Sequence, residues 1–170
     1  MGNVQILLVV LAITLLGLLL LPANRALINR DQVLIQSEAT STATAIGQEL
    51  VEEAIVRKFD ERFSGRREST SDPTNFSHTL GIDAGENPSN AETFDDVDDF
   101  NGYQTTIPTP RLGNFICTCK VYYVTESNPD LVSASCTFLK RIDVKVSNPY
   151  ILSSDSTVTA SKIISYRYKG

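Results

Sequence analysis

The chain has 170 residues, 42% of them hydrophobic, no tryptophan and a formal net charge of −5. That length supports one domain plus an anchor. Residues 69–112 hold eight acidic side chains against one basic one, and an acidic centre of this kind excludes the basic patch that nucleic-acid binding needs.

The first element is an apolar helix. From Val4 to Leu21 no charged side chain occurs, Pro22 ends the run, and Arg25 is the first charge. A run of 18 or more such residues is long enough to cross a bilayer core as a helix. It has neither the basic n-region nor the small-residue cleavage site of a secretory signal. Beyond Pro22, Leu27, Leu34, Ala39, Ala43, Ile46, Leu50 and Ala54 form an apolar stripe among charged residues, which predicts an amphipathic continuation. The expected helix therefore has an all-apolar part over residues 1–24 and a one-faced part over residues 25–63. Gly47 costs it about 1 kcal/mol relative to alanine, and Thr40, Ser41, Thr42 and Thr44 are poor helix formers. Tertiary packing must supply what propensity lacks. Pro22 removes one backbone hydrogen bond, which predicts either a kink or a point where the helix melts and stretches.

An uncharged apolar helix with proline at position 22 resembles the N-terminus of a mature type IV pilin or pseudopilin. The resemblance is motif-specific over the first 25 or so residues and architectural beyond them. It implies that Met1 is the mature first residue, N-methylated after a short leader is removed. It also implies a helix held first in the inner membrane and then in the core of an extracellular filament, assembled by pilus machinery. The family usually carries a glutamate at the fifth mature position, where it partners a neighbour's N-terminal amine. Gln5 stands there in this chain. It keeps an acceptor oxygen and lacks the charge, so docking is expected to rest on apolar packing. Met1, Gln5 and Pro22 are the expected assembly residues.

Residues 64–113 carry turn and breaker signals throughout, among them Ser64-Gly65, Asp72-Pro73, Asn87-Pro88, Gly102, Pro108 and Pro110,. They read as an irregular acidic loop region with apolar anchors at Phe76, Leu80, Ile82, Phe94, Val97, Phe100, Tyr103 and Ile107. Within it, FDDVDDFNGY runs from Phe94 to Tyr103. Asp95, Asp96, Asp98 and Asp99 offer hard oxygen ligands at a density suited to calcium. Their spacing does not fit an EF-hand loop, since counting from Asp96 the fifth position is Phe100. The alternative, which that misfit favours, is that these carboxylates cap turns and face water while the aromatics pin the loop.

From residue 114 the period becomes two. Phe115, Cys117, Cys119, Val121 and Tyr123 share one strand face; Glu126–Pro129 is a turn; Val132, Ala134, Cys136 and Phe138 form a return strand that Ile142, Val144 and Val146 extend. A last strand runs from Val158 to Tyr168. Three antiparallel strands over residues 114–170 would lay one face against the helix. The hairpin places Cys136 opposite Cys119, or opposite Cys117 in a register two residues different. Either pair would make a disulfide in an oxidising space. Cys-Thr-Cys is not a zinc or redox pair, and the single histidine, His78, lies far from it,.

No nucleophile elbow, phosphate-binding glycine loop or His-Glu-x-x-His motif occurs,, so no enzymatic activity and no cofactor beyond that calcium ion are expected. The fold class is α+β: a long N-terminal helix with a C-terminal antiparallel sheet. The expected function is that of a structural subunit of an extracellular helical filament resembling a type IV pilus. Its partners would be copies of itself, the membrane before assembly and the pilus machinery, with adhesion residing on the outer surface. A pseudopilin or minor pilin, or a monomeric membrane-anchored surface domain, are the rival expectations.

Overall fold

The structure is a computed structural model that describes residues 2–63 and 70–166, without the side chains of Leu21, Ala23, Asn24 and residues 26–28. Met1, Leu27 as part of the apolar stripe, the Ser64-Gly65 turn and the strand end at Tyr168 lie outside the described residues or side chains. The chain divides into two compact units, Met1–Glu38 and Ala39–Gly170. Helical backbone, α1, covers Asn3–Ile55 and contributes to both, with Pro22 inside it.

In the first unit the helix carries no charged side chain over residues 3–20, and its charges begin at Arg25. Residues 3–20 are long and apolar enough to cross a membrane by length and composition, and none of that window is buried. Val4 is 73% exposed and Leu11 is 52% exposed. Leu34, expected on the stripe, is exposed as well.

In the second unit the stripe becomes a packed face: Ala39, Ala43, Ile46, Leu50, Val51 and Ala54 are buried. The sheet has four antiparallel strands in sequence order: β1 (Gln104–Thr109), β2 (Gly113–Tyr123), β3 (Leu139–Ser147) and β4 (Thr157–Ser165). The α+β class is therefore as expected, with one strand more. β1 lies in the segment read as irregular. It is an edge strand, which is where a strand tolerates Pro108, and its alternation is shallow because none of its side chains is fully buried.

The alternation of β2 holds. Phe115, Cys117, Cys119, Val121 and Tyr123 all point into the core. Their partners on β3 differ from the expected hairpin. Cys117 lies opposite Val146, Cys119 opposite Val144, Val121 opposite Ile142 and Tyr123 opposite Lys140. Ile142, Val144 and Val146 are fully buried, each contributing roughly 1.5–3 kcal/mol by leaving water. The return strand predicted over residues 132–138 is absent. Ser133 and Thr137 hydrogen-bond nearby backbone instead: Ser133 donates to Ser135 O at 2.8 Å, and Thr137 to Leu139 O at 2.9 Å. Such local bonds compete with a sheet ladder.

Helix α1 ends at Ile55, before the predicted Phe59 to Phe63. Lys58 leaves the helix to pair its backbone with the acidic loop. Its N–H donates to Asp95 O at 3.2 Å, and its carbonyl accepts from Val97 N at 3.0 Å. Phe59 and Phe63 keep apolar partners outside the α-helix, Phe63 at the end of a 3-10 turn over Glu61–Phe63, in an aromatic cluster with Phe76, Phe138 and Tyr166.

The helical glycine has a packing reason. A Cβ on Gly47 would lie 3.1 Å from the Cβ of Ala160 on β4 and 3.5 Å from Val146 Cγ2 on β3. The helix gives up propensity there so that the sheet can approach. Gly47→Leu should therefore destabilise the domain by about 1–3 kcal/mol through overpacking, read as a lowered thermal midpoint of the full chain in detergent. An unchanged midpoint would contradict this close approach.

Candidate functional site

The string FDDVDDFNGY is a folded unit. Phe94, Val97, Phe100 and Tyr103 are buried, and the Phe94 ring meets Phe100 at 5.1 Å and Tyr103 at 5.3 Å between centroids. Asn101 ties it to its surroundings: Nδ2 donates to Leu80 O at 2.9 Å, and Oδ1 accepts from Val121 N at 3.1 Å. Gly102 adopts φ 88° and donates to Cys119 O at 3.0 Å. That left-handed conformation favours glycine, and it turns the chain into β1.

The aspartates follow the same logic: Asp95 faces water as expected, and the other three do not. Asp96, Asp98 and Asp99 are 1%, 3% and 1% exposed. Asp96 Oδ1 accepts from Asp98 N at 2.6 Å, and Asp99 Oδ2 accepts from Asp96 N at 3.0 Å and Asp95 N at 3.1 Å. They cap turns, as expected, but from inside. Of the four, only Asp95 reaches an exposed cation among the described residues, with Lys58 Nζ at 2.6 Å from its Oδ2.

Nor do the four form one ligand set. Asp98 turns inward to Lys140. The others belong to two different groups, Glu61 with Asp95 and Asp96, and Glu86 with Asp95 and Asp99, each placing three carboxylate oxygens within 4.8 Å of one another. A hard cation such as calcium would find oxygens of the right kind in either group. Asp95 is common to both and is already neutralised by Lys58.

Burial raises these carboxyls. It pushes Asp96, with Asp98 beside it, up to about 7. Asp99 also rises to about 7, through burial and its acidic neighbours Asp96 and Glu86. Asp98 rises to about 6, because burial outweighs the pull of Lys140.

Lys140 is the residue the sequence reading missed. Its side chain is fully buried. Nζ contacts Asp98 Oδ1, donates to Phe59 O at 2.5 Å and lies 3.5 Å from Asp60 Oδ2. It sits 4.5 Å from the Phe59 ring centre and 5.3 Å from that of Tyr123. Asp60 is also buried and accepts from Ser77 N at 2.8 Å and Arg62 N at 3.1 Å. A signal was present: the inward positions Val146, Val144 and Ile142 extend by two to Lys140. A lysine on a core face demands a carboxylate partner.

All three cysteines are buried free thiols, which corrects the expected Cys119–Cys136 or Cys117–Cys136 disulfide. Cys136 lies outside the sheet, with Sγ 3.8 Å from Ser77 O, while Cys117 and Cys119 face β3 residues eight or more positions beyond it. Burial pushes the Cys117 thiol up to about 11 and the Cys119 thiol up to about 12, so both are poor nucleophiles.

Compared with known proteins, the chain matches no family model, no curated protein and no solved structure.

The raised carboxyls have a measurable consequence. Asp96 and Asp99 bind protons in the folded domain at pH values where the unfolded chain, with carboxyls near 4, has lost them. Their stabilisation is therefore full below about pH 4 and is lost as pH rises through about 7,. Between pH 5 and pH 8 the unfolding free energy should fall more in the wild type than in Asp96→Asn, by about 1–2 kcal/mol, read as a steeper drop in the thermal midpoint. Parallel curves for the two proteins would contradict the burial of an acidic proton at Asp96.

Proposed function

We propose that this chain is a structural subunit of an extracellular helical filament resembling a type IV pilus. The observation that carries the reading is the apolar helix of residues 3–20, none of it buried, joined to a unit with a core of its own. So much exposed apolar surface needs a non-aqueous partner. Lipid supplies one, and the matching helices of other copies supply another. A segment equally content in both can leave the bilayer for a filament core without meeting water.

In this reading the apolar residues 3–20 of α1 are the assembly element and lie in the filament core. Pro22 cannot donate a backbone hydrogen bond, and it marks where the helix yields during extraction from the membrane. Gln5, exposed on the helix, is a neutral contact. A carboxylate in an apolar core needs a cationic partner, whereas an amide needs only hydrogen bonds. The sheet domain and the acidic loop form the outer surface. The inner membrane holds the pool before assembly, and pilus machinery drives polymerisation.

Filament yield in sheared surface material, measured by electron microscopy at matched expression, tests this. Leu11→Asn should abolish filaments while leaving the membrane pool, and Gln5→Ala should reduce them modestly. Abundant protein in the membrane with no filaments from the wild type would overturn the reading in favour of a monomeric anchored domain. A few copies at the tip or base of another protein's filament would favour a minor pilin or pseudopilin.

A further inference from the structure

Lys140 and Asp98 meet where water is excluded. Their side chains are 0% and 4% exposed, the rings of Phe59 and Tyr123 wall the ammonium, and the second oxygen of Asp98 has no hydrogen-bond partner among the described residues. The other Lys–Asp contacts differ. Lys58–Asp95 and Lys145–Asp155 are each about half exposed. A third group completes the buried contact: Asp60 Oδ2 lies 3.5 Å from Lys140 Nζ. Asp60 is held by Ser77 and Arg62 and is not itself consumed by the pair.

The geometry points to an intramolecular amide bond between Nζ of Lys140 and Cγ of Asp98, formed autocatalytically with Asp60 as the proton carrier. The reactants are an ammonium and a carboxylate. One proton passes within the contact from Lys140 to Asp98 and leaves a neutral amine facing a carboxylic acid, with the Asp60 carboxylate beside the amine to accept its next proton. The desolvated amine is then a nucleophile. Its lone pair attacks Cγ, the C–N bond forms, and the carbonyl pair moves onto oxygen. Asp60 takes a proton from the nitrogen and delivers it to the hydroxyl, the C–O bond breaks, and water leaves. The products are an amide, one water and the original Asp60 carboxylate. No oxidant, reductant or other co-reactant is needed. Exclusion of water, which sets this pair apart from the exposed ones, also protects the amide from hydrolysis. The bond would close a loop of sequence separation 42, tying the acidic loop to β3 without a disulfide.

Intact mass spectrometry of the full-length protein, denatured and reduced, tests the bond. The wild type should be lighter than its sequence by one water. Trypsin should fail to cut after Lys140, giving a branched peptide that contains both Asp98 and Lys140, while Lys58 and Lys145 remain free amines. Lys140→Arg should restore the missing water, which separates the amide from a succinimide elsewhere in the chain. Asp60→Asn should leave the protein at full mass or slow the water loss at least tenfold during refolding. If the wild type carries its full mass and Lys140 is cleaved and labelled as a free amine, the contact is an ion pair and the proposal is overturned.

Discussion

Burying one lysine is the constraint around which the domain closes. Bringing an ammonium and two carboxylates out of water costs several kcal/mol per ion unless all of their partners arrive together. Lys140 comes from β3, Asp98 from the acidic loop, and Asp60 with Phe59 O from the segment that follows α1. None of the three segments can reach its final place without the others. The early end of the helix, the inward turn of the DDVDD string and the unexpected register of β3 all meet at this point.

Around that contact the domain sorts its chemistry by depth. The aromatics Phe59, Phe63, Phe76, Phe138 and Tyr166 close one side, and Phe94, Phe100 and Tyr103 close the loop side. The carboxylates between them satisfy backbone N–H groups that a coil would otherwise leave bare. A long irregular segment inside a compact domain is normally unstable for want of such partners, and here side chains supply them. The exposed helix of the first unit obeys the opposite rule. None of its residues 3–20 is buried, and apolar surface of that extent is favourable only against a non-aqueous partner.

Much of this was legible in the sequence where a simple period ruled. The apolar run before Pro22, the stripe from Ala39 to Ala54 and the alternation from Phe115 to Tyr123 each predict what the structure has. The misses share a cause: a local pattern overruled by a distant partner. Phe59 and Phe63 continue a helical spacing, yet they serve a cluster completed by Phe76 and Tyr166. Val132 to Phe138 alternate like a strand, yet Thr137 is drawn to Val124 O, 13 positions earlier. The aspartates look like solvated turn residues because the lysine that draws Asp98 inward lies 42 positions later. Cys136 reads as the partner of Cys119 only while the return strand is believed.

The central claim is that the Lys140 contact holds the acidic loop in place. Hydrogen–deuterium exchange of the full chain in detergent, comparing wild type with Lys140→Met, tests it most directly. Removing the cation leaves Asp60 and Asp98 buried without compensation, a loss on the order of 3–5 kcal/mol. The amides of residues 94–103 should then exchange at least a hundredfold faster, with those of residues 3–20 unchanged. Protection across residues 94–103 equal to that of the wild type would contradict the account.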